Sequence, residues 1–128
     1  MSRKLVYPGI YRHFKNKYYA TMGITTSIQE ERFTKLISDS DSIVFESKHT
    51  EAGKSILVIK KYNKFYISTK DSTDVLVVYK TLYDNSGIWV RPIDLFLSEV
   101  DHDKYPGIEQ KYRFELYDYK EFIDKENL

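Results

Sequence analysis

Two aromatic and basic blocks lie far apart in the chain, and both read as strand. The first is Pro8-Gly9-Ile10-Tyr11-Arg12-His13-Phe14; the second runs from Val75-Leu76-Val77-Val78-Tyr79 to Gly87-Ile88-Trp89-Val90-Arg91-Pro92. Side chains of these types fit a pleated, half-buried surface, so a fold that holds both blocks needs a sheet. The bias extends to the whole chain, whose 128 residues include 12 Tyr, 7 Phe and 1 Trp. A β-rich class follows, and the same residue types are the usual anchors of binding surfaces.

The length suits one domain with its own core, spanning residues 1–128. Zero Cys excludes disulfides, thiolate metal sites and thiol nucleophiles, and fits a reducing compartment. No apolar run approaches a membrane span, and the basic start lacks the apolar stretch of a signal peptide, so a cytoplasmic protein is expected. The formal charge of +1 hides an asymmetry: residues 1–25 carry five bases and no acid, whereas residues 99–128 hold nine acids and five bases. Either the two ends meet in the fold, or the basic hairpin faces a polyanion.

Gly9–Phe14 and Tyr18–Thr25 are β-prone runs joined by Lys15-Asn16-Lys17, where Asn16 tolerates the positive φ of a tight turn. Ser27 and Glu30 have capping-box spacing ahead of the Phe33, Leu36, Ile37 stripe, which predicts one helix over Ile28–Ile37. Strands are expected at Ser42–Ser47, Ser55–Lys61 and Phe65–Thr69. Asp74–Tyr83 alternates poorly and reads as a central strand buried on both faces. Gly87 suits a positive-φ turn, Ile88–Arg91 is the return strand, and Pro92–Phe96 forms one helical turn. A short strand is expected over Ser98–Asp101, with Asp101-His102-Asp103 as a polar turn, and Tyr112–Tyr119 is too aromatic not to dock.

Gly9-Ile10-Tyr11-Arg12-His13-Phe14-Lys15 with Tyr18, and Leu76-Val77-Val78-Tyr79-Lys80 through Trp89-Val90-Arg91-Pro92 and Phe96, resemble the small bacterial and phage family known as domain of unknown function sixteen-fifty-three. The resemblance implies a small SH3-like β-barrel and no established activity. It covers about half of the chain, because members of that family pass between the two blocks through a short His-Ser/Thr-Glu segment. Here residues 26–73 stand between them, read as an inserted α-helix and an extra β-hairpin within the barrel; the competing arrangement makes Lys48-His49-Thr50-Glu51 the displaced family segment.

Alternation pairs Tyr11 with His13 and Trp89 with Arg91 on single strand faces. With Tyr79 they form a candidate ligand site of stacking faces, a guanidinium and an imidazole, and Arg12, Lys15 and Lys17 offer a phosphate rim. The bland arrangement makes Tyr11 and Trp89 core aromatics, with Arg91 packed over them. His13, His49 and His102 stand in no metal-ligand spacing, and no phosphate loop or nucleophile elbow occurs, so no metal, cofactor or catalytic residue is assigned. The expected function is a non-catalytic binding module for a nucleotide or single-stranded nucleic acid. The alternative is a protein-interaction module, such as a phage-type inhibitor of a host protein, docking through an open patch of Phe33, Leu36, Ile56, Val58 and Phe65.

Overall fold

A strand of twelve residues organises the molecule, because its length lets it serve two partners on one side in succession. In the computed structural model, which describes residues 3–117, Lys17–Ile28 (β2) pairs at its start with Gly9–His13 (β1) and at its end, in parallel, with Lys64–Ser68 (β5). Asn16 carries the β1–β2 turn at φ 63°, as its short polar side chain allows. Between β2 and β5 the sheet runs through Leu76–Thr81 (β6), Ile88–Pro92 (β7), Ser42–His49 (β3) and Lys54–Lys61 (β4). The β2–β5 pairing closes these six strands into a barrel, the small mainly-β fold expected from the resemblance. Beyond β1 the sheet continues to Phe114–Leu116 (β8).

The barrel interior is aliphatic: Ile56, Val58, Ile67, Leu76, Val78 and Val90 are buried there with Phe65. At the β2 bulge the Phe65 ring lies over Gly23, where an added Cβ would stand 2.7 Å from two ring carbons. Residues 26–73 supply β3, β4 and β5 and so form half of the barrel wall instead of a separate lobe. Phe33, Ile56, Val58 and Phe65 are buried and Leu36 is half-buried, so the open apolar patch expected of a docking surface is absent from these five.

Glu30–Ile37 (α1) packs Phe33 against Ile28 and Ile59, on the outside of the wall. The capping box does not form. Ser27 and Ile28 are taken into the parallel ladder with β5, the Ser27 hydroxyl donates to the Ser72 carbonyl at 3.0 Å, and Glu30 accepts from the Ser68 hydroxyl. The helix therefore starts two residues later than the capping-box spacing predicts, with acids in its first turn to suit its dipole.

β6 is central and buried on both faces, as expected, with Leu76 and Val78 inward and Val77 and Tyr79 outward. Gly87 adopts φ 110°, and Pro92 precedes a one-turn helix, Ile93–Phe96 (α2). Ser98–Asp101 is reduced to a single bridge, Glu99 to Tyr112. Tyr112–Tyr117 docks on β1 as expected, whereas Tyr119 lies outside the described residues. No described helix is long and apolar enough to cross a membrane.

Candidate functional site

Strand alternation puts Tyr11 and His13 of β1, Tyr79 of β6, and Trp89 and Arg91 of β7 on the outer face of one sheet, with Tyr79 directly opposite Trp89. Two distant rings then cover part of that face. Phe96 of α2 and Phe114 of β8 stack on each other, centroids 4.1 Å apart, and Phe96 meets Tyr11 and Tyr79 edge-on at 5.2 and 5.3 Å. Tyr11 and Tyr79 are left 1% and 2% exposed. They brace the face from beneath, while His13, Trp89 and Arg91 stay partly open to solvent. The five candidates are thus brought together, but only three present accessible surface.

Around these three residues stand several donors, two of them enclosed. Arg91 Nε donates to Thr50 Oγ1 at 3.3 Å and its guanidinium lies 5.5 Å from the Phe114 ring centre. Its Nη1 is enclosed and has no hydrogen-bond partner, and the same holds for Trp89 Nε1. Among the described residues no carboxylate forms an ion pair with Arg91. Lys48, whose register position on β3 is opposite Trp89, holds its ammonium 5.1 Å from the indole centre. A guanidinium with an unpaired N–H beside apolar rings favours an anion strongly, since low polarity strengthens the attraction and little water competes.

Titration behaviour points the same way. Burial, with the charges of Arg91, Lys15, Arg113 and Lys17 acting in the same direction, lowers the pKa of His13 to about 4. His13 is therefore neutral near pH 7 and registers a positive field from four cations. Its Nδ1 accepts the Lys15 backbone N–H at 3.1 Å, which leaves the proton of the neutral ring on Nε2. Burial pushes the Tyr79 phenol up to about 12 against the opposing charge of Arg91. Tyr19 is raised too, by burial and by its hydroxyl contact with Tyr83, so both phenols remain protonated.

The expected phosphate rim divides. Lys15 and Lys17 are both near enough to act on His13, but Lys15 holds its ammonium 5.8 and 5.7 Å from the Phe14 and Tyr105 ring centres, and Lys17 lies 4.8 Å above the Tyr83 ring. Arg12 falls on the opposite strand face, where Nε and Nη2 both donate to Gln110 Oε1 at 3.2 and 3.0 Å and Gln110 Nε2 returns a bond to the Arg12 carbonyl. It serves as a staple for the segment leading into β8. Asp101 Oδ1 accepts the backbone N–H groups of Asp103 and Lys104, the polar turn expected there.

Sequence reasoning missed Lys48, Thr50 and Phe114 as site neighbours. Thr50 reaches Arg91 because β3 pairs with β7 in parallel at Lys48–Trp89 and His49–Val90, and nothing local in the sequence announces a contact between strands forty residues apart. The Phe114 ring belongs to the tail that was expected to dock, but only its register opposite His13 puts it over the site.

Fold and face together define a small closed β-barrel with a donor-rich aromatic surface. Residues 59–116 match the family model described as Protein of unknown function (DUF1653), so the resemblance holds over that stretch. It takes in the Leu76–Tyr79 and Trp89–Pro92 strands and Phe96, begins within β4, and leaves the Gly9–Lys15 block outside. No curated protein and no solved structure matches the chain.

Proposed function

We propose that the protein is a non-catalytic binding module whose outer barrel face takes an anionic ligand, a nucleotide or a single-stranded nucleic acid. The observation that carries this reading is Arg91: a cation set against Phe114 with one enclosed, unpartnered N–H and no described carboxylate paired to it. Trp89 supplies the half-open ring on which a base stacks, with neutral His13 and the Lys15 and Lys17 charges alongside. Tyr11 and Tyr79 act as the rigid floor. Calorimetric titration at low salt with a mononucleotide and a short thymidine oligonucleotide is expected to give saturable binding that weakens as salt rises. Loss of that binding in the Trp89→Ala, Arg91→Ala double variant is the expected outcome; no binding to wild type, or unchanged binding to the variant, defeats the proposal.

A second reading, docking of a protein partner, draws on another part of the barrel. Among the described residues β3 pairs with β7 only at Lys48 and His49, so Ser42–Ser47 has no strand partner there on one side, and Ile43 is 59% exposed. An open apolar strand edge of this kind is suited to strand addition. The cysteine-free sequence is compatible with a reducing, cytoplasmic setting, and the family resemblance points to a bacterial or phage source.

A further inference from the structure

The guanidinium at the proposed site is indirectly attached to a carboxylate. Arg91 Nε–H donates to Thr50 Oγ1 at 3.3 Å, and the Thr50 hydroxyl donates in turn to Glu51 Oε2 at 2.8 Å. Glu51 thus lies one hydroxyl away from the cation without pairing to it, and both charges act on the same buried phenol, Tyr79, with opposite sign. The backbone of this turn is fixed independently of the Glu51 side chain. His49 Nδ1 accepts the N–H groups of both Glu51 and Ala52 at 3.1 Å, and the Thr50 N–H donates to the Val90 carbonyl at 3.1 Å. The Glu51 carboxylate, by contrast, belongs to an exposed residue, and its only hydrogen bond among the described residues is the one from Thr50. It can swing away by rotation of its own side chain, with no strand pairing lost.

Resting on the anion-binding reading above, we infer that Glu51 is the resident anion of the site: through Thr50 it holds Arg91 when no ligand is bound, and an incoming oxyanion must displace it. The ligand group that replaces a carboxylate linked to a guanidinium through a hydroxyl is itself an oxyanion, and the phosphate of a mononucleotide and a phosphodiester of a strand share that chemistry. Glu51 then sets the affinity of the site by competing for Arg91 and by repelling the anion that replaces it. Its side-chain charge is a selectivity device, because only a ligand with further contacts, such as stacking on Trp89, recovers what the displacement costs.

The test uses the full chain and its one tryptophan, whose fluorescence reports on this site alone, alongside calorimetry. Inorganic phosphate, adenosine monophosphate and a short thymidine oligonucleotide are titrated into wild type, Glu51→Gln and Thr50→Val, each first checked for folding by circular dichroism. Removing one like charge is expected to tighten binding of all three roughly three- to tenfold at low salt, with the gain shrinking as ionic strength rises. Thr50→Val, which keeps the side-chain shape but breaks the link, is expected to change affinity in the same direction. Wild-type binding that is unaltered or weakened by Glu51→Gln overturns the inference while leaving the binding reading intact. No response to any of the three anions overturns both. Tightened phosphate binding without nucleotide or oligonucleotide binding keeps the oxyanion exchange and removes the nucleic-acid reading.

Discussion

The same two strands, β6 and β7, serve two layers of opposite character. Inward, Leu76, Val78 and Val90 meet Ile56, Val58 and Ile67 in an aliphatic interior closed on all sides. Outward, Val77, Tyr79 and the partly exposed Trp89 meet Tyr11, Phe96 and Phe114 in an aromatic layer that carries polar heads at its margin. Aliphatic side chains fill the barrel densely and leave nothing to bind with. Aromatic side chains bury comparable area while keeping a hydroxyl or indole N–H at one end, so one layer provides stability and, on the proposed reading, recognition at once. In a barrel this small the interior is filled by its own side chains.

Phe114→Ala is expected to have the largest effect, because it empties the outer layer at its stacked centre: about 3–5 kcal/mol of stability, read from urea melts. It should also relieve the burial of His13, whose ring lies 4.9 Å from that of Phe114, and raise the imidazole pKa measured by NMR. Leu76→Ala is expected to cost about 2–5 kcal/mol by opening a cavity in the barrel, yet to leave the His13 titration and anion affinity where they were. If the two variants moved His13 alike, the division into independent layers would be wrong. The smallest effect belongs to pH. Folded His13 binds its proton only near pH 4, whereas the unfolded chain does so near 6.5, so its contribution to stability is full above pH 6.5 and declines between 6.5 and about 4. His13→Gln is expected to flatten that part of the stability profile, as measured by paired melts at neutral and acidic pH.

How much of this was legible depended on distance along the chain. The Asn16 turn, the central strand at Leu76–Thr81, the Gly87 turn and the single helical turn after Pro92 are local consequences of residue type, and all appear. The capping box failed although its spacing was correct, because parallel pairing of Ser27 and Ile28 with β5 supplies a competing set of partners that a local motif does not reveal. At the site, strand alternation paired Tyr11 with His13 and Trp89 with Arg91, and the sheet order brings the two pairs to one face. Which of them stay open was decided by Phe96 and Phe114, whose arrival over Tyr11 is a tertiary event with no signature near residue 11. Thr50 and Glu51 were visible as a polar loop and as a candidate family segment, but not as neighbours of Arg91, since that contact comes from the neighbouring strand.

β3 and β7 share just two residue pairs, whereas β3 and β4 share eight. The barrel wall is therefore a continuous ribbon joined to itself by a short clasp, and that clasp is made of Lys48, His49, Trp89 and Val90. Few hydrogen bonds hold it, so local opening begins there before the rest of the wall yields. Lys48 of the clasp flanks Trp89, and Thr50, the next residue after the clasp on that segment, holds Arg91. If the face takes an anion as proposed, that ligand also latches the whole cylinder.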